Sequence, residues 1–139
     1  MLTVGHHVRV DSFTKIESGQ GITIGDYVHI ASFAHVGIGG GQLIVEDEAM
    51  IASGAKILTG TNTDVGISMS SSARPERQHI TRGITVLGPR AFVGAGAIVL
   101  PGLVLGAGSV LGAGSVLTKN LPAGEVWAGN PARFVRRRR

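Results

Sequence analysis

The stretch LVLGAGSVLGAGSVLTKN, residues 103–120, contains one hexad twice without change: Leu105-Gly-Ala-Gly-Ser-Val110 runs into Leu111-Gly-Ala-Gly-Ser-Val116. An aliphatic residue every six positions matches no helical face, and each glycine inside a helix would cost roughly 1 kcal/mol. The period suits a short strand that ends in a tight corner. Working outward, the same frame holds Val4, Val10 and Ile16; then Ile24, Ile30 and Val36; then Val45, Ile51 and Ile57; then Leu87, Val93 and Val99; then Leu105, Leu111 and Leu117. Four positions after most of these stands a second small or apolar residue, among them Val8, Thr14, Val28, Ala34, Ala49, Ala55, Ala91, Ala97, Leu103, Ser109 and Ser115. Residues two apart point to the same side of a strand. Each hexad therefore reads as a strand with two inward residues and a turn, and the glycines of the turns permit positive backbone angles.

Three hexads close one triangular coil. Five coils stack as parallel strands about 4.8 Å apart, with the aliphatic residues filling the bore. The expected fold class is all-β: a parallel β-helix of about five triangular coils, forming one domain over residues 1–139.

The irregularities of the count carry information. Two extra residues separate Ile16 from Ile24, three separate Val36 from Val45, and twenty-four separate Ile57 from Leu87. All three breaks follow the third hexad of a coil, so they fall on one edge. That edge is expected to carry a glycine-rich widening, GIGGGQ, and an extruded loop near residues 60–83. A long excursion that returns in register is more often a site or an interface than idle chain. The repeat stops at TKNLPAG. Trp127 and Phe134 are expected to cover the end of the prism, and PARFVRRRR to form a short C-terminal helix with Pro131 in its first turn.

Composition narrows the function. The chain has no cysteine, which removes disulfides, thiolate zinc ligands and a thiol nucleophile together. MLTVGHHVRVDS lacks the basic start and apolar run of a signal peptide, and no stretch approaches the ~20 apolar residues of a membrane span. A cytoplasmic location is expected. The net charge of +4 rests largely on Arg136, Arg137, Arg138 and Arg139. Without that tail there is no basic face interleaved with aromatics, so nucleic acid is not expected as a partner.

The hexads together with GAGSVLTKNLPAGEVWAGNPARFV resemble the left-handed β-helix acyltransferases, the hexapeptide-repeat family. The resemblance covers nearly the whole chain and is most specific over residues 86–135. It is nearest to sugar O- and N-acetyltransferases, such as galactoside and maltose acetyltransferases and relatives from surface-polysaccharide pathways. It implies left-handed coils, where connection rules alone favour right-handed ones. It also implies a homotrimer, acetyl-CoA as donor, a sugar or nucleotide-sugar acceptor, and active sites between neighbouring subunits. In galactoside acetyltransferases a catalytic histidine follows a segment like ILTG. Here Ile57–Gly60 is followed by Thr61-Asn62-Thr63-Asp64. A polysaccharide-pathway subset shares this change and has segments like HIASFAHVGIGGG and PERQHITRG, both present in this chain.

Acyl transfer from a thioester needs a base for the nucleophile's proton and donors for the developing oxyanion. Histidine suits the first role. His35 precedes the widened corner and faces outward, and His79 stands at the returning end of the loop; these are the candidate catalytic residues. The alternative for each is a surface or interface histidine. His29 lies one face away from His35, and His6 and His7 lie in the first coil, far from the loop. Asn62, Asp64 and Glu76 are candidates for binding the acceptor, and Gly39, Gly40 and Gly41 for offering amides to the oxyanion or simply forming a tight bulge. The resemblance places the pantetheine arm along the later coils, with Gly94, Ala95 and Gly112 as contacts and Arg133 and Arg136 for its phosphates. No metal site is expected. Two other readings remain. One is a prism of the γ-carbonic anhydrase kind, using His29, His35 and His79 as ligands; the other is a non-enzymatic binding or assembly module.

Overall fold

A computed structural model describes residues 1–139. The chain winds into a three-faced prism of parallel strands. The first face stacks Leu2–Val4, Gly21–Ile24, Gln42–Val45, Ile84–Leu87 and Val104–Leu105. The third stacks Lys15–Ile16, His35–Ile38, Lys56–Leu58, Ile98–Val99 and Val116–Leu117. The second stacks Arg9–Val10, His29–Ile30, Met50–Ile51, Phe92–Val93 and Val110–Leu111, and continues into Glu125–Gly129 and Ala132–Arg137.

The rungs are those the hexads predict. Val4, Ile24, Val45, Leu87 and Leu105 stand in one register column. Val10, Ile30, Ile51, Val93 and Leu111 form the second, and Ile16, Val36, Ile57, Val99 and Leu117 the third. From the second coil upward these residues are almost wholly buried, in one core with Val28, Ala34, Ala49, Ala55, Ala91 and Ala97. Burying each aliphatic side chain contributes roughly 1.5–3 kcal/mol, so the period that sets the rungs also supplies most of the driving force.

Three expectations need correction. Glycine is not the general solution at the corners. Six corners place a residue other than glycine at positive φ: His7, Phe13, Tyr27, Phe33, Glu48 and Arg90, with φ between 57 and 65°. The third residue of turns such as GDY and ASF takes the strained angle, and glycine takes it in turns such as those at Gly54, Gly96, Gly108 and Gly114. The C-terminal segment is also a strand, not a helix. Ala132–Arg137 pairs antiparallel with Glu125–Gly129, which would otherwise leave an open sheet edge. Trp127 sits opposite Leu111 and packs on the core, closing that end together with Leu121. Phe134, opposite Trp127 in the hairpin, is 54% exposed and takes no part in the closure.

No helix is long and apolar enough to cross a membrane.

Candidate active site

The widened corner and the long excursion emerge from the same edge, between the third and first faces. Bare backbone lets the coils approach there. A Cβ on Gly37, at φ +82°, would lie 2.0 Å from the Glu17 carbonyl oxygen; one on Gly39, at φ +98°, would lie 2.0 Å from that of Gly60. Two buried threonines pin the corner. Thr59 Oγ1 accepts the Gly41 N–H at 2.8 Å and donates toward the Gly37 and Ile38 carbonyls, 3.2 and 3.1 Å away. Thr85 Oγ1 donates to the Leu58 carbonyl at 2.7 Å and accepts the Gly102 N–H at 3.0 Å.

The excursion is not structureless. Gly60–Asn62 pairs antiparallel with Ile80–Arg82, and a short 3-10 turn spans Pro75–Arg77. Between this ribbon and the ridge lies a cavity of about 820 Å³. Ile38, Leu58, Met69 and Ile80 form its apolar wall. Its polar groups include Asn62, Ser71 and Gln78, and Glu17 and Arg82 are its only charged residues. Arg82 Nε donates to the Gly39 carbonyl at 3.3 Å, which fixes the guanidinium over the glycine corner. Gln78 Nε2 donates to the Ala73 carbonyl, so its Oε1 faces Asn62 Nδ2 at 3.3 Å. That orientation leaves Asn62 Oδ1 buried without a partner.

Of the expected site residues, the structure brings Asn62, Gly39 and Gly40 to the cavity. Asp64 and Glu76 are exposed and off its wall. His35 points outward from the third face, half-buried between Lys15 and Lys56 in register, and its Nε2 engages Glu17 Oε2. Glu17, not His35, lines the cavity. His79 is exposed with Nδ1 2.6 Å from Thr63 Oγ1; its neighbours Gln78 and Ile80 reach the cavity and it does not. His29 lies on the second face, Nε2 2.9 Å from Asp11 Oδ2. The hydrogen bond from His29, with the one from Arg9, holds the Asp11 carboxyl below its ordinary value. His7 stacks on Tyr27 in the first two coils. Thus His29, His35 and His79 stand on two faces and the ribbon, and no three such side chains meet as a metal site would require. Of the corner amides, Gly41 is engaged by Thr59 and Gly40 points at the Gly37 carbonyl, 3.4 Å away.

The expected donor contacts lie elsewhere. Gly94, Ala95 and Gly112 stand at the corner between the second and third faces. There Gly94 and Gly112 pack on the next coil, a Cβ on Gly94 falling 2.5 Å from the Ala113 nitrogen, while a Cβ on Gly96 or Gly114 would meet nothing within 4 Å. Arg133 and Arg136 are exposed on the last strand, each bonded only to a local carbonyl. Sequence reasoning missed Glu17, Gln78, Arg82, Thr59 and Thr85. For Glu17 a signal existed: it follows Ile16 at the first break in the count.

Comparison with known proteins agrees with this fold. The family described as bacterial transferase hexapeptide (six repeats) matches residues 84–119. A dTDP-4-amino-4,6-dideoxy-D-glucose acyltransferase of Escherichia coli is 34% identical over 99% of this chain and 72% of its own length. The N-acyltransferase AntD of Bacillus cereus, solved with dTDP and 3-hydroxybutyryl-CoA, superposes with a TM-score of 0.92 at 26% identity, over 99% of this chain and 73% of that one. A maltose O-acetyltransferase of Clostridium difficile shares the fold, with a TM-score of 0.84 at 24% identity over 99% and 70% of the two chains. The hexad columns and the relatives thus agree: the chain belongs to the hexapeptide-repeat acyltransferases, the left-handed β-helix family of sugar O- and N-acyl transfer enzymes.

Proposed function

We propose that this chain moves an acetyl or longer acyl group from a coenzyme A thioester to an amine or hydroxyl of a nucleotide-linked sugar. A dTDP-4-amino-4,6-dideoxy sugar is the first candidate acceptor. The observation that carries this reading is the cavity of about 820 Å³ on the irregular ridge. Its cation, Arg82, suits a diphosphate, and Asn62 and Gln78 suit sugar hydroxyls. The 34% identity to an acyltransferase for such a sugar supports the same assignment, as does a variant of AntD that holds dTDP-4-amino-4,6-dideoxyglucose together with coenzyme A.

For the donor, the corner at Gly94, Ala95 and Gly112, open on its outer side at Gly96 and Gly114, fits a slender pantetheine arm, and the exposed guanidiniums of Arg133 and Arg136, each held only by a local carbonyl, fit the coenzyme's phosphates. When bound, acyl-coenzyme A would supply an activated thioester carbonyl. The donor corner and the acceptor cavity stand on different edges of one prism. Transfer between them therefore calls for the donor corner of one copy beside the acceptor cavity of another, which is the arrangement the homotrimer expected of the family would supply. One continuous core from Ile22 to Ala132 supports reading residues 1–139 as a single domain.

Transfer proceeds by direct attack in a ternary complex, with no cysteine for an acyl-enzyme. The ridge takes the nucleophile's proton through the Glu17–His35 pair, of which Glu17 reaches the cavity, and His79 on the ribbon is the second candidate. Asp64 and Glu76 remain available to substrate at the ribbon's outer surface. The work belongs in the cytoplasm, in surface-polysaccharide synthesis. The test is turnover of acetyl-CoA against a panel of free and nucleotide-linked sugars, read by thiol release and product mass, with sedimentation for the trimer. Turnover with a nucleotide sugar supports the reading. Neither turnover nor coenzyme A binding with any sugar favours an assembly module instead.

A further inference from the structure

We infer that Glu17, held in place by His35, is the carboxylate that meets the acceptor, and that it makes the site selective for an amino sugar over its hydroxyl counterpart. This rests on the sugar acyltransferase reading above. Glu17 and Arg82 are the only charged residues on the cavity wall, and they carry opposite signs. A diphosphate is drawn to Arg82 and repelled by Glu17, so the acceptor lies with its nucleotide end away from the carboxylate and its reacting end toward it. Glu17 Oε2 is engaged by His35, while its other oxygen has no protein partner. His35 itself stands between Lys15 and Lys56 on the third face. Arg82 faces Glu17 across the cavity, the imidazole on its Oε2 stands between Lys15 and Lys56 in register, and no second carboxylate lines the cavity to compete with Glu17 for a cation. An ionised carboxylate attracts an ammonium group and gains far less from a neutral hydroxyl.

An aliphatic amine near neutral pH carries a proton that must leave before attack. Glu17 accepts that proton from the ammonium. The nitrogen lone pair then attacks the thioester carbonyl carbon, the C–N bond forms and the C–S bond breaks. The departing thiolate takes the second proton from nitrogen, and Glu17 releases the first to water. His35 positions the carboxylate and is not itself in contact with the acceptor.

The experiment compares wild type, Glu17→Gln, His35→Asn and the double variant, with acetyl-CoA and either dTDP-4-amino-4,6-dideoxyglucose or the dTDP sugar bearing a hydroxyl at that carbon. Thermal melts confirm that each variant folds. Wild type is expected to prefer the amine. Glu17→Gln is expected to lower kcat/KM for the amine at least about tenfold at neutral pH, toward the ~10²–10⁴ range of base catalysis. The loss should shrink as pH rises toward the amine's own pKa, and the KM for acetyl-CoA should not move. His35→Asn should cost less than Glu17→Gln, and the double variant no more than Glu17→Gln. A folded Glu17→Gln enzyme within twofold of wild type overturns the inference, as does a His35→Asn loss exceeding that of Glu17→Gln. If wild type acylates no nucleotide sugar at all, the underlying reading falls first. Should Glu17→Gln not fold, Glu17→Asp must retain the preference for the amine.

Discussion

Ser109 and Ser115 hold the same place in two identical hexads, yet their surroundings differ. Both are buried. Ser115 Oγ accepts the Gly129 N–H at 3.0 Å, where the terminal hairpin crosses the last coil. Ser109 Oγ, on another face of the prism, has no partner. A buried hydroxyl without a hydrogen bond costs about 1–3 kcal/mol, and a stranded amide costs a similar amount. Ser109→Ala is therefore expected to raise stability by about 1 kcal/mol, and Ser115→Ala to lower it by about 1–3 kcal/mol. Urea unfolding of the two variants checks this: shifts of the same sign would contradict the burial argument. Asp11 gives a pH-dependent counterpart. Its folded pKa is lowered from 3.8, first by the His29 hydrogen bond and then by Arg9. A depressed carboxylate contributes stability above its unfolded pKa and loses it as pH falls through the folded one. Wild type should thus exceed Asp11→Asn in stability at neutral pH, and the gap should close in acid, below 3.8. A gap that stays constant into strong acid would assign the difference to packing.

At the scale of elements, the ridge depends on the contact between one threonine and one glycine corner. Thr59→Val keeps the shape and removes the hydroxyl that engages Gly41, Gly37 and Ile38. The Gly41 amide is then buried without an acceptor, at a cost of about 1–3 kcal/mol. Gly39 and Gly40 line the cavity beside it, so the KM for the acceptor should rise while that for acetyl-CoA stays near wild type; melting and steady-state kinetics read the two effects separately. The widening itself was legible in the sequence, because three surplus residues between Val36 and Val45 have nowhere to go but the corner. The ribbon was not. Its strands are three residues each, too short for an alternation to register, and their pairing is set by where the coils re-enter, not by local pattern. The last strand was misread for a similar reason. Pro131 and a basic run are compatible with a helix start, and only the open edge of Glu125–Gly129 decides for a strand.

At the scale of the molecule, the rungs could be read from sequence because one periodicity fixes both strand position and burial. The site could not, because it gathers Glu17, Gly39, Asn62 and Arg82 from different turns of the chain, and only stacking brings them to one cavity. That stacking is uneven. Leu121, Trp127 and Ala132 close one end, while at the other Leu2, Val4 and Val10 are 44–49% exposed beneath a single layer of contacts. In a stack where each coil contacts only its neighbours, a coil with one neighbour opens at lower cost than a coil with two. The first coil contains Glu17. Its amides at Gly5, Arg9, Asp11, Lys15 and Glu17 all donate to carbonyls of the second coil. By hydrogen exchange they should be the least protected of the inter-coil set, faster than Met50, Ala52 or Lys56 in the third coil, which bond onward to the fourth. An acceptor held by Glu17 and Arg82 bridges the first coil to the ribbon and stabilises the closed form by mass action. Adding the nucleotide amino sugar should therefore slow exchange in the first coil more than in the third, and Glu17→Gln should abolish that difference. Equal slowing everywhere would mean that the stack opens as one unit and that binding is not seated on its first coil.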